Sequence, residues 1–123
     1  MMQPAIRILV VDDESAIRRA LRPPLMELGF QVAEASRGEE ALQVLRGGSY
    51  DAVLLDINMP GMDGLEVCHR LLATSPGIRV LMVTGRDSDE DPLRAAAVGA
   101  RGLLTKPISL GALRDEMLRA LAS

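Results

Sequence analysis

The sequence predicts an α/β domain in which helices cover both faces of a parallel β-sheet. Five short apolar runs recur along the chain, and segments with helical spacing of apolar residues lie between them. Parallel neighbouring strands need crossover connections, so strict alternation of strands and helices favours this class. A chain of 123 residues has the size of one compact domain. We therefore expect residues 1–123 to form a single unit.

The five predicted strands differ in how completely apolar they are. The first and third are apolar almost throughout, which is typical of central strands that are covered on both faces. The second is mixed and is expected to lie nearer an edge. In chain order the strands span Ile6 to Val11, Gln31 to Ala35, Ala52 to Leu55, Arg79 to Val83 and Gly102 to Leu104.

Five segments carry apolar residues at the spacing of one helix face. Pro23 and Pro24 fall inside the first of these helices and each removes a backbone donor, so we expect a kink or a break near Arg22. The acidic segment from Arg86 to Pro92 is expected to be a solvated loop before the fourth helix. The stripes are Ile17, Leu21, Leu25 and Leu28; Ala41, Leu42 and Leu45; Leu65, Cys68 and Leu72; Leu93, Ala97 and Val98; and Leu110, Leu113, Met117 and Leu121.

Composition argues against several classes of protein. The net charge is -3 and no long basic run is present, which gives no support for direct binding to nucleic acid or to a membrane surface. No run approaches the roughly 18 apolar residues of a membrane span, and no signal-peptide pattern is visible. We expect a cytoplasmic protein. Cys68 is the only cysteine, so neither an intramolecular disulfide nor a cysteine-rich metal site is expected, and a buried side chain is the favoured interpretation.

Polar residues stand just past four of the five predicted strands. Asp12 and Asp13 follow the first, Asp56 the third, Thr84 the fourth and Lys106 the fifth. In an open parallel sheet these positions share the carboxyl edge, where ligands bind at a change in strand order. The sequence therefore predicts one site built from residues that are far apart along the chain.

The residue types at this edge indicate metal-dependent phosphoryl chemistry. Three clustered carboxylates repel one another unless a cation is present, and oxygen ligands favour Mg²⁺, with Mn²⁺ as the alternative. Asp56 is the natural nucleophile for an acyl phosphate, and Thr84 can donate one hydrogen bond to a phosphoryl oxygen. Lys106 is the only lysine beside thirteen arginines, which suggests a position that needs a compact ammonium group.

Four motifs resemble those of the receiver domains of two-component response regulators. They are Leu9-Val10-Val11-Asp12-Asp13-Glu14, Asp56-Ile57-Asn58-Met59-Pro60-Gly61-Met62-Asp63-Gly64, Val83-Thr84-Gly85 and Thr105-Lys106-Pro107. The resemblance covers nearly the whole chain in the right order. It implies a flavodoxin-like, doubly wound, five-stranded parallel sheet in the order 2-1-3-4-5 with five helices.

The resemblance also assigns roles within the site. Asp56 would accept a phosphoryl group from a histidine kinase, a phosphotransfer protein or a small phosphodonor, and Lys106 would pair with that group. Thr84 would swing toward it as the switch, and the Lys106-Pro107 peptide bond would be cis. The Mg²⁺ ligands would be Asp13, Asp56 and the backbone carbonyl of Asn58, with Asp12 acting partly through water.

Positions around the site give further expectations. Gly85 would keep phosphate access open, whereas Arg86 and Asn58 either tune hydrolysis or are simply exposed to solvent. The family usually has Tyr or Phe at the position of Leu103, a ring that reports movement of the switch threonine. Ala100-Arg101-Gly102 replaces acidic residues of one DNA-binding class, which argues against that class's symmetric dimer.

The resulting hypothesis is a signalling domain whose phosphorylation alters the surface of the fourth helix, fifth strand and fifth helix. It would catalyse only its own phosphorylation and dephosphorylation, and an effector or an attached output domain would read the surface. The chain could be a natural single-domain regulator or an excised receiver, and a phosphorylation-dependent dimer stays open. Two alternatives are a degenerate receiver that only binds partners and a Mg²⁺-dependent aspartyl-phosphate phosphatase. Asn58 disfavours the latter, because such enzymes usually need a second acid there.

Overall fold

The computed structural model describes residues 5–85 and 90–122, which form five strands and five helices in strict alternation. No helix within these residues is long and apolar enough to cross a membrane. The strands are β1 (Arg7–Val11), β2 (Gln31–Ala35), β3 (Ala52–Asp56), β4 (Arg79–Thr84) and β5 (Gly102–Thr105). The helices are α1 (Ser15–Glu27), α2 (Gly38–Arg46), α3 (Gly64–Thr74), α4 (Glu90–Ala97) and α5 (Leu110–Ala122).

The strands form one parallel sheet in the order β2-β1-β3-β4-β5. This confirms the predicted fold and strand order. β3 lies at the centre with all five residues buried, and the mixed strand β2 lies at an edge. The order in which strands are added to the sheet reverses between β1 and β3, so the loops after these two strands flank one crevice.

Two apolar clusters cover the two faces of the sheet. One packs α2, α3 and α4 against the sheet, and the other packs α1 and α5 against the opposite face. Alternate residues of each strand supply the two faces, as with Leu54 and Leu55 of β3. Each fully buried large apolar side chain contributes about 2 kcal/mol through burial. The packing of both faces therefore fixes the carboxyl edge on which the polar residues stand.

Helix α1 is unbroken from Ser15 to Glu27. Of the kink or break expected near Arg22, the break is therefore wrong, and the kink stays a prediction. Leu21 and Leu25 are buried against the sheet and hold the helix on both sides of the two prolines. The missing donors of Pro23 and Pro24 would have bonded carbonyls one turn earlier, on residues that are exposed to solvent. Because water can satisfy those carbonyls, packing outweighs the local cost of the prolines.

The fourth helix begins earlier than expected. Glu90, Asp91 and Pro92 were expected in a solvated loop, but all three belong to α4. Asp91 is 2% exposed. The earlier part of the expected loop, Arg86 to Asp89, lies outside the described residues.

Three members of the predicted apolar stripes face solvent instead of the core. They are Leu93 and Ala97 of α4 and Leu110 of α5, and the two leucines are 74% and 67% exposed. Helical spacing identified the helices correctly, but it placed these three side chains on the wrong face. The remaining three stripes are buried or half-buried throughout.

Candidate functional site

Three acidic side chains meet at the carboxyl edge of the sheet. Asp12 follows β1, and Asp56 is the last residue of β3; both are 2% exposed, whereas the neighbouring Asp13 is open to solvent. Each of the three can offer a carboxylate oxygen such that all lie within 4.8 Å of one another. The structure therefore brings Asp56 together with two neighbouring carboxylates from a distant part of the chain.

Lys106 inserts a positive charge between the two buried carboxylates. Its Nζ lies 3.0 Å from Asp12 Oδ2 and 3.5 Å from Asp56 Oδ2. A third contact, 3.6 Å to the exposed carboxylate of Glu14, was not predicted from the sequence. Burial lowers the pKa of Lys106, but the hydrogen bond with Asp12 and the surrounding negative charges outweigh it and raise the pKa overall. The ammonium group is therefore held in its charged form.

A backbone hydrogen bond holds Lys106 at a fixed position beside the end of β4. The Lys106 amide donates to the carbonyl of Thr84 at 2.7 Å, which ties the end of β5 to the end of β4. The following Lys106-Pro107 peptide bond is cis, the isomer that the resemblance implies.

Asp56 is poised between its charged and neutral forms. Burial and the negative charge of Asp12 raise its pKa, the charge of Lys106 opposes the rise, and the net result is a pKa of about 6. The backbone N–H of Asn58 donates to Asp56 Oδ1 over a long 3.4 Å. At neutral pH the carboxylate is ionised, but burial makes its charged form unfavourable. Binding of a cation, or formation of a covalent bond at one of its oxygens, is therefore favoured.

The loop after Asp56 is held closely against its backbone. Gly64 is buried at the start of α3, and a Cβ there would lie 2.2 Å from the carbonyl oxygen of Asp56. The Gly64 amide donates to the carbonyl of Ile57 at 2.9 Å, and Asp63 caps α3 by accepting from the Glu66 amide. The absence of a side chain at position 64 therefore allows the loop to close against the strand that ends in Asp56.

Thr84 points its hydroxyl group at a residue that the sequence interpretation missed. Its Oγ1 donates to Asp91 Oδ2 at 2.6 Å, and both residues are buried. The sequence placed Asp91 in a solvated loop, where several neighbouring acids made it inconspicuous. A usable signal was its position directly before a proline, because proline is favoured in the first turn of a helix.

The remaining predicted positions lie around this crevice. Gly85 is exposed, and a Cβ on it would stand 3.9 Å from Lys106 Cδ, so position 85 borders the lysine side chain. Asn58 is exposed at the start of the loop after β3. Arg86 lies outside the described residues. Leu103 is half-buried on β5, where it packs on the α2–α3–α4 side of the sheet.

Leu103 also lines a shallow groove of about 200 Å³ between α4 and β5, together with Pro92 and Ala96. The lone cysteine and the lone histidine stand apart from the crevice chemistry. Cys68 is buried, as predicted, and burial raises the pKa of its thiol to about 11; His69 is exposed on α3.

The donor set of the crevice fits a hard divalent cation. Asp12, Asp13 and Asp56 each offer a carboxylate oxygen as a possible ligand. Burial fixes Asp12 and Asp56, whereas Asp13 is open to solvent. Mg²⁺ prefers a few carboxylates and retains several of its waters, which an open crevice allows. The pKa of Asp56 is raised first by burial and then by the charge of Asp12, and Lys106 opposes this rise only in part.

A doubly wound parallel sheet with acidic groups and one lysine at its switch point defines a CheY-like domain. The family model described as "Response regulator receiver domain" matches residues 8–118. The chain therefore belongs to the response regulator receiver domains of two-component signalling, and the family resemblance is confirmed.

Individual relatives and solved structures agree with this assignment. The chain is 43% identical over 112 residues to "Response regulator MprA" of Mycolicibacterium vanbaalenii, covering 91% of this chain and 48% of that protein. The chain thus spans about half the length of the curated relatives it matches. The chemotaxis protein CheY4 of Vibrio cholerae matches with a TM-score of 0.90 and 32% identity, over 96% of this chain and 100% of the other. A CheY-like receiver domain protein from Methanospirillum hungatei gives 0.91 and 29%, over 97% and 95%.

Proposed function

We propose that this domain accepts a phosphoryl group on Asp56 in a Mg²⁺-dependent step and that the modification is its signal. The observation that carries the proposal is the placement of one buried carboxylate, Asp56, beside two further carboxylates within 4.8 Å and an ammonium group at 3.5 Å. The carboxylate is the nucleophile, and the groups around it can offset the charge that accumulates during transfer.

In the proposed reaction an oxygen of Asp56 forms a bond to phosphorus while the bond from phosphorus to the donor breaks. The electron pair of that bond leaves with the donor, which is a phosphohistidine imidazole or the leaving group of a small phosphodonor. Lys106 stays between Asp12 and Asp56 and pairs with the phosphoryl oxygens. Mg²⁺ would be held by Asp12, Asp13, Asp56 and the backbone carbonyl of Asn58, and when bound it supplies neutralising charge.

Each proposed role has a counterpart in what surrounds the residue. Asp56 is rigid because it ends a fully buried central strand. Lys106 already contacts both buried carboxylates, so it needs no large movement to reach a phosphoryl group on Asp56. Positioning and charge neutralisation are the main contributions that a protein makes to phosphoryl transfer. The domain therefore modifies itself, with slow self-dephosphorylation, and does not turn over an external substrate.

The proposed switch connects the crevice to a surface. Thr84 would turn its hydroxyl group toward the phosphorylated Asp56, and the α4–β5–α5 surface would change with it. Gly85 and Arg86 flank Thr84 and would modulate access and hydrolysis. Leu103, which stands on that surface, would transmit the change through packing without an aromatic ring.

Partners follow from the same proposal. A sensor histidine kinase or a phosphotransfer protein would supply the phosphoryl group in the cytoplasm. An effector or an attached output domain would read the signal, and residues 1–123 would act as the receiver unit. Direct binding to nucleic acid or to a membrane is not part of the proposed function. A phosphorylation-dependent dimer is a further arrangement that the same surface could support.

The proposal is tested by intact-mass measurement after incubation with acetyl phosphate or phosphoramidate, with and without Mg²⁺. We expect one added phosphoryl group that requires both Mg²⁺ and Asp56, so Asp56→Asn should show none. Asp63→Asn is the matched control, because it removes an acid near the site while Asn keeps the α3 cap. It should be phosphorylated like the unmodified protein.

Two results would count against the proposal. Folded protein that gains no phosphoryl group under any condition would favour a degenerate receiver that only binds partners. Steady release of inorganic phosphate from added phosphate esters, with turnover far above the amount of protein, would favour the phosphatase alternative.

A further inference from the structure

The hydroxyl group of Thr84 is held in a buried bond on the α4 side of its strand. Thr84 Oγ1 donates to Asp91 Oδ2 at 2.6 Å, and the two residues are 1% and 2% exposed. A short hydrogen bond to a carboxylate is among the stronger kinds in proteins, and little water can compete for it in a buried setting. The bond therefore favours one side-chain rotamer of Thr84.

Asp91 is well supported in this position. It lies in the first turn of α4, where the helix dipole favours a negative charge. Arg94, one turn further along, brings its guanidinium to 3.7 Å from the other oxygen of the Asp91 carboxylate. Asp91 would therefore keep a cationic partner if the hydroxyl group of Thr84 moved away.

Threonine has one hydroxyl hydrogen, so it can donate strongly to one acceptor at a time. If Thr84 is to donate to a phosphoryl oxygen on Asp56, it has to give up its bond to Asp91. The backbone of Thr84 is fixed meanwhile, because its carbonyl accepts from the Lys106 amide at 2.7 Å. The choice between the two acceptors is therefore made by rotation of the Thr84 side chain.

We propose that Asp91 is a positioning residue that competes with the phosphoryl group on Asp56 for the hydroxyl hydrogen of Thr84. In this role Asp91 lowers the population of the Thr84 rotamer that points toward Asp56 before phosphorylation. It thereby tunes how readily the site binds a phosphoryl group. The inference rests on the proposed function, because it assumes that Thr84 serves the phosphorylated Asp56.

The test measures binding of beryllium fluoride, a phosphoryl mimic, with Mg²⁺ by titration calorimetry. Asp91→Ala removes the competing acceptor and should tighten binding by roughly threefold to tenfold, the effect of one modest hydrogen bond on a two-state equilibrium. Asp91→Asn keeps an acceptor oxygen and should stay closer to the unmodified protein. In a Thr84→Val background, Asp91→Ala should change nothing, because the hydroxyl group that couples the two sites is gone.

Leu93→Ala is the matched control, since it alters an exposed residue of the same helix and should leave the affinity unchanged. Side-chain coupling constants of Thr84, measured by NMR on metal-free protein, give a readout without any mimic. One dominant rotamer is expected in the unmodified protein and a mixture in Asp91→Ala. A rotamer that does not respond to Asp91→Ala in folded protein would overturn the inference.

The calorimetry can also contradict the inference. Unchanged or weaker binding of the mimic by folded Asp91→Ala would do so, as would an equal effect of this change in the Thr84→Val background. If the unmodified protein binds no mimic at all, the proposed phosphorylation itself fails. In that case the rotamer measurement still decides whether Asp91 positions Thr84.

Discussion

Ionising a carboxylate at the end of a buried strand costs free energy, and in Asp56 the surrounding residues offset that cost only in part. Burial and the charge of Asp12 raise its pKa to about 6, although Lys106 stands 3.5 Å away. A second ammonium group in the crevice would lower the cost but would also compete with a metal ion. A partly neutralised carboxylate suits the proposed role of Asp56, in which it would bind a cation and attack phosphorus.

The raised pKa of Asp56 makes stability depend on pH in metal-free protein. The folded pKa of about 6 lies above the ordinary 3.8, so the folded state holds this proton more tightly. The resulting contribution to stability is fully present below about pH 4 and is lost as pH rises through about 6.

Asp56→Asn cannot ionise, so relative to the unmodified protein it should gain stability across this window. The expected gain is at most about 3 kcal/mol at pH 7, following from the shift of about two units in pKa. Urea unfolding of both proteins at a series of pH values, in the presence of a chelator, measures it. A difference in unfolding free energy that does not vary between pH 4 and 7 would contradict the assigned pKa.

The placement of the site residues was largely predictable from sequence, because residues that follow parallel strands must share one edge. Asp12, Asp13, Asp56, Thr84 and Lys106 were expected in a single crevice, and the structure describes all five at this edge. Asp91 was missed for a physical reason. Whether an acid in an acidic run is solvated or buried depends on how the helix that contains it packs, and periodicity does not report that.

At the scale of elements, Gly64 sets how closely α3 can start behind β3, the strand that ends in Asp56. A side chain there would overlap the backbone of Asp56, which cannot move away because it belongs to the central strand. The close contact of Gly64 with the Asp56 backbone therefore restricts the conformation of the loop between these two residues.

Gly64→Ala should destabilise the domain by about 3 kcal/mol or more, because neither backbone segment can yield. Gly111 provides the opposite case. It lies in α5 with no atom within 4 Å of an added Cβ, so Gly111→Ala should stabilise by about 0.5–1 kcal/mol through helix propensity. Thermal unfolding of the two variants should therefore move in opposite directions, and a neutral Gly64→Ala would contradict the close approach.

The prolines of α1 give a second element-level prediction. Pro23 is exposed and packs on nothing in the apolar cores, so Pro23→Ala restores a backbone donor without loss of packing. We expect a gain of about 1 kcal/mol, since the helix benefit exceeds the lost rigidity of the unfolded chain. Pro76→Ala, in the exposed turn after α3, is the control and should be neutral or slightly destabilising. The urea concentration at the midpoint of unfolding, measured for both variants and the unmodified protein, tests this. A lower midpoint for Pro23→Ala would show that the proline fits this helix better than alanine.

The elements themselves were predicted to within about a residue at strand ends, because apolar runs report burial directly. The errors concern a possible break in α1, the start of α4 and the outward faces of Leu93, Ala97 and Leu110. Each reflects tertiary packing overriding a local signal. Two buried leucines keep α1 intact across its prolines, and the contact of Asp91 with Thr84 accompanies an earlier start of α4.

At the scale of the whole molecule, two apolar layers hold the sheet, and all of the site chemistry lies at one edge of it. This arrangement separates what stabilises the domain from what it does. The carboxylates of the crevice repel one another and Lys106 offsets that repulsion only in part, so a cation bound there should stabilise the folded state as a whole.

Adding Mg²⁺ should therefore raise the unfolding temperature of the unmodified protein at neutral pH, in proportion to the logarithm of Mg²⁺ concentration above the dissociation constant. The shift should be much smaller for Asp12→Asn, which removes one of the buried carboxylates. Asp115→Asn, an exposed acid of α5, is the control and should respond like the unmodified protein. Equal shifts in all three would indicate non-specific ion effects.

The most direct test of the central claim is to locate the phosphoryl group chemically. Protein treated with acetyl phosphate and Mg²⁺ would be reduced with borohydride, which converts an aspartyl phosphate to homoserine, and then digested for peptide mass spectrometry. The account predicts homoserine at position 56 and nowhere else. Homoserine at position 12 or 13, or a phosphoryl group on any other side chain, would contradict it.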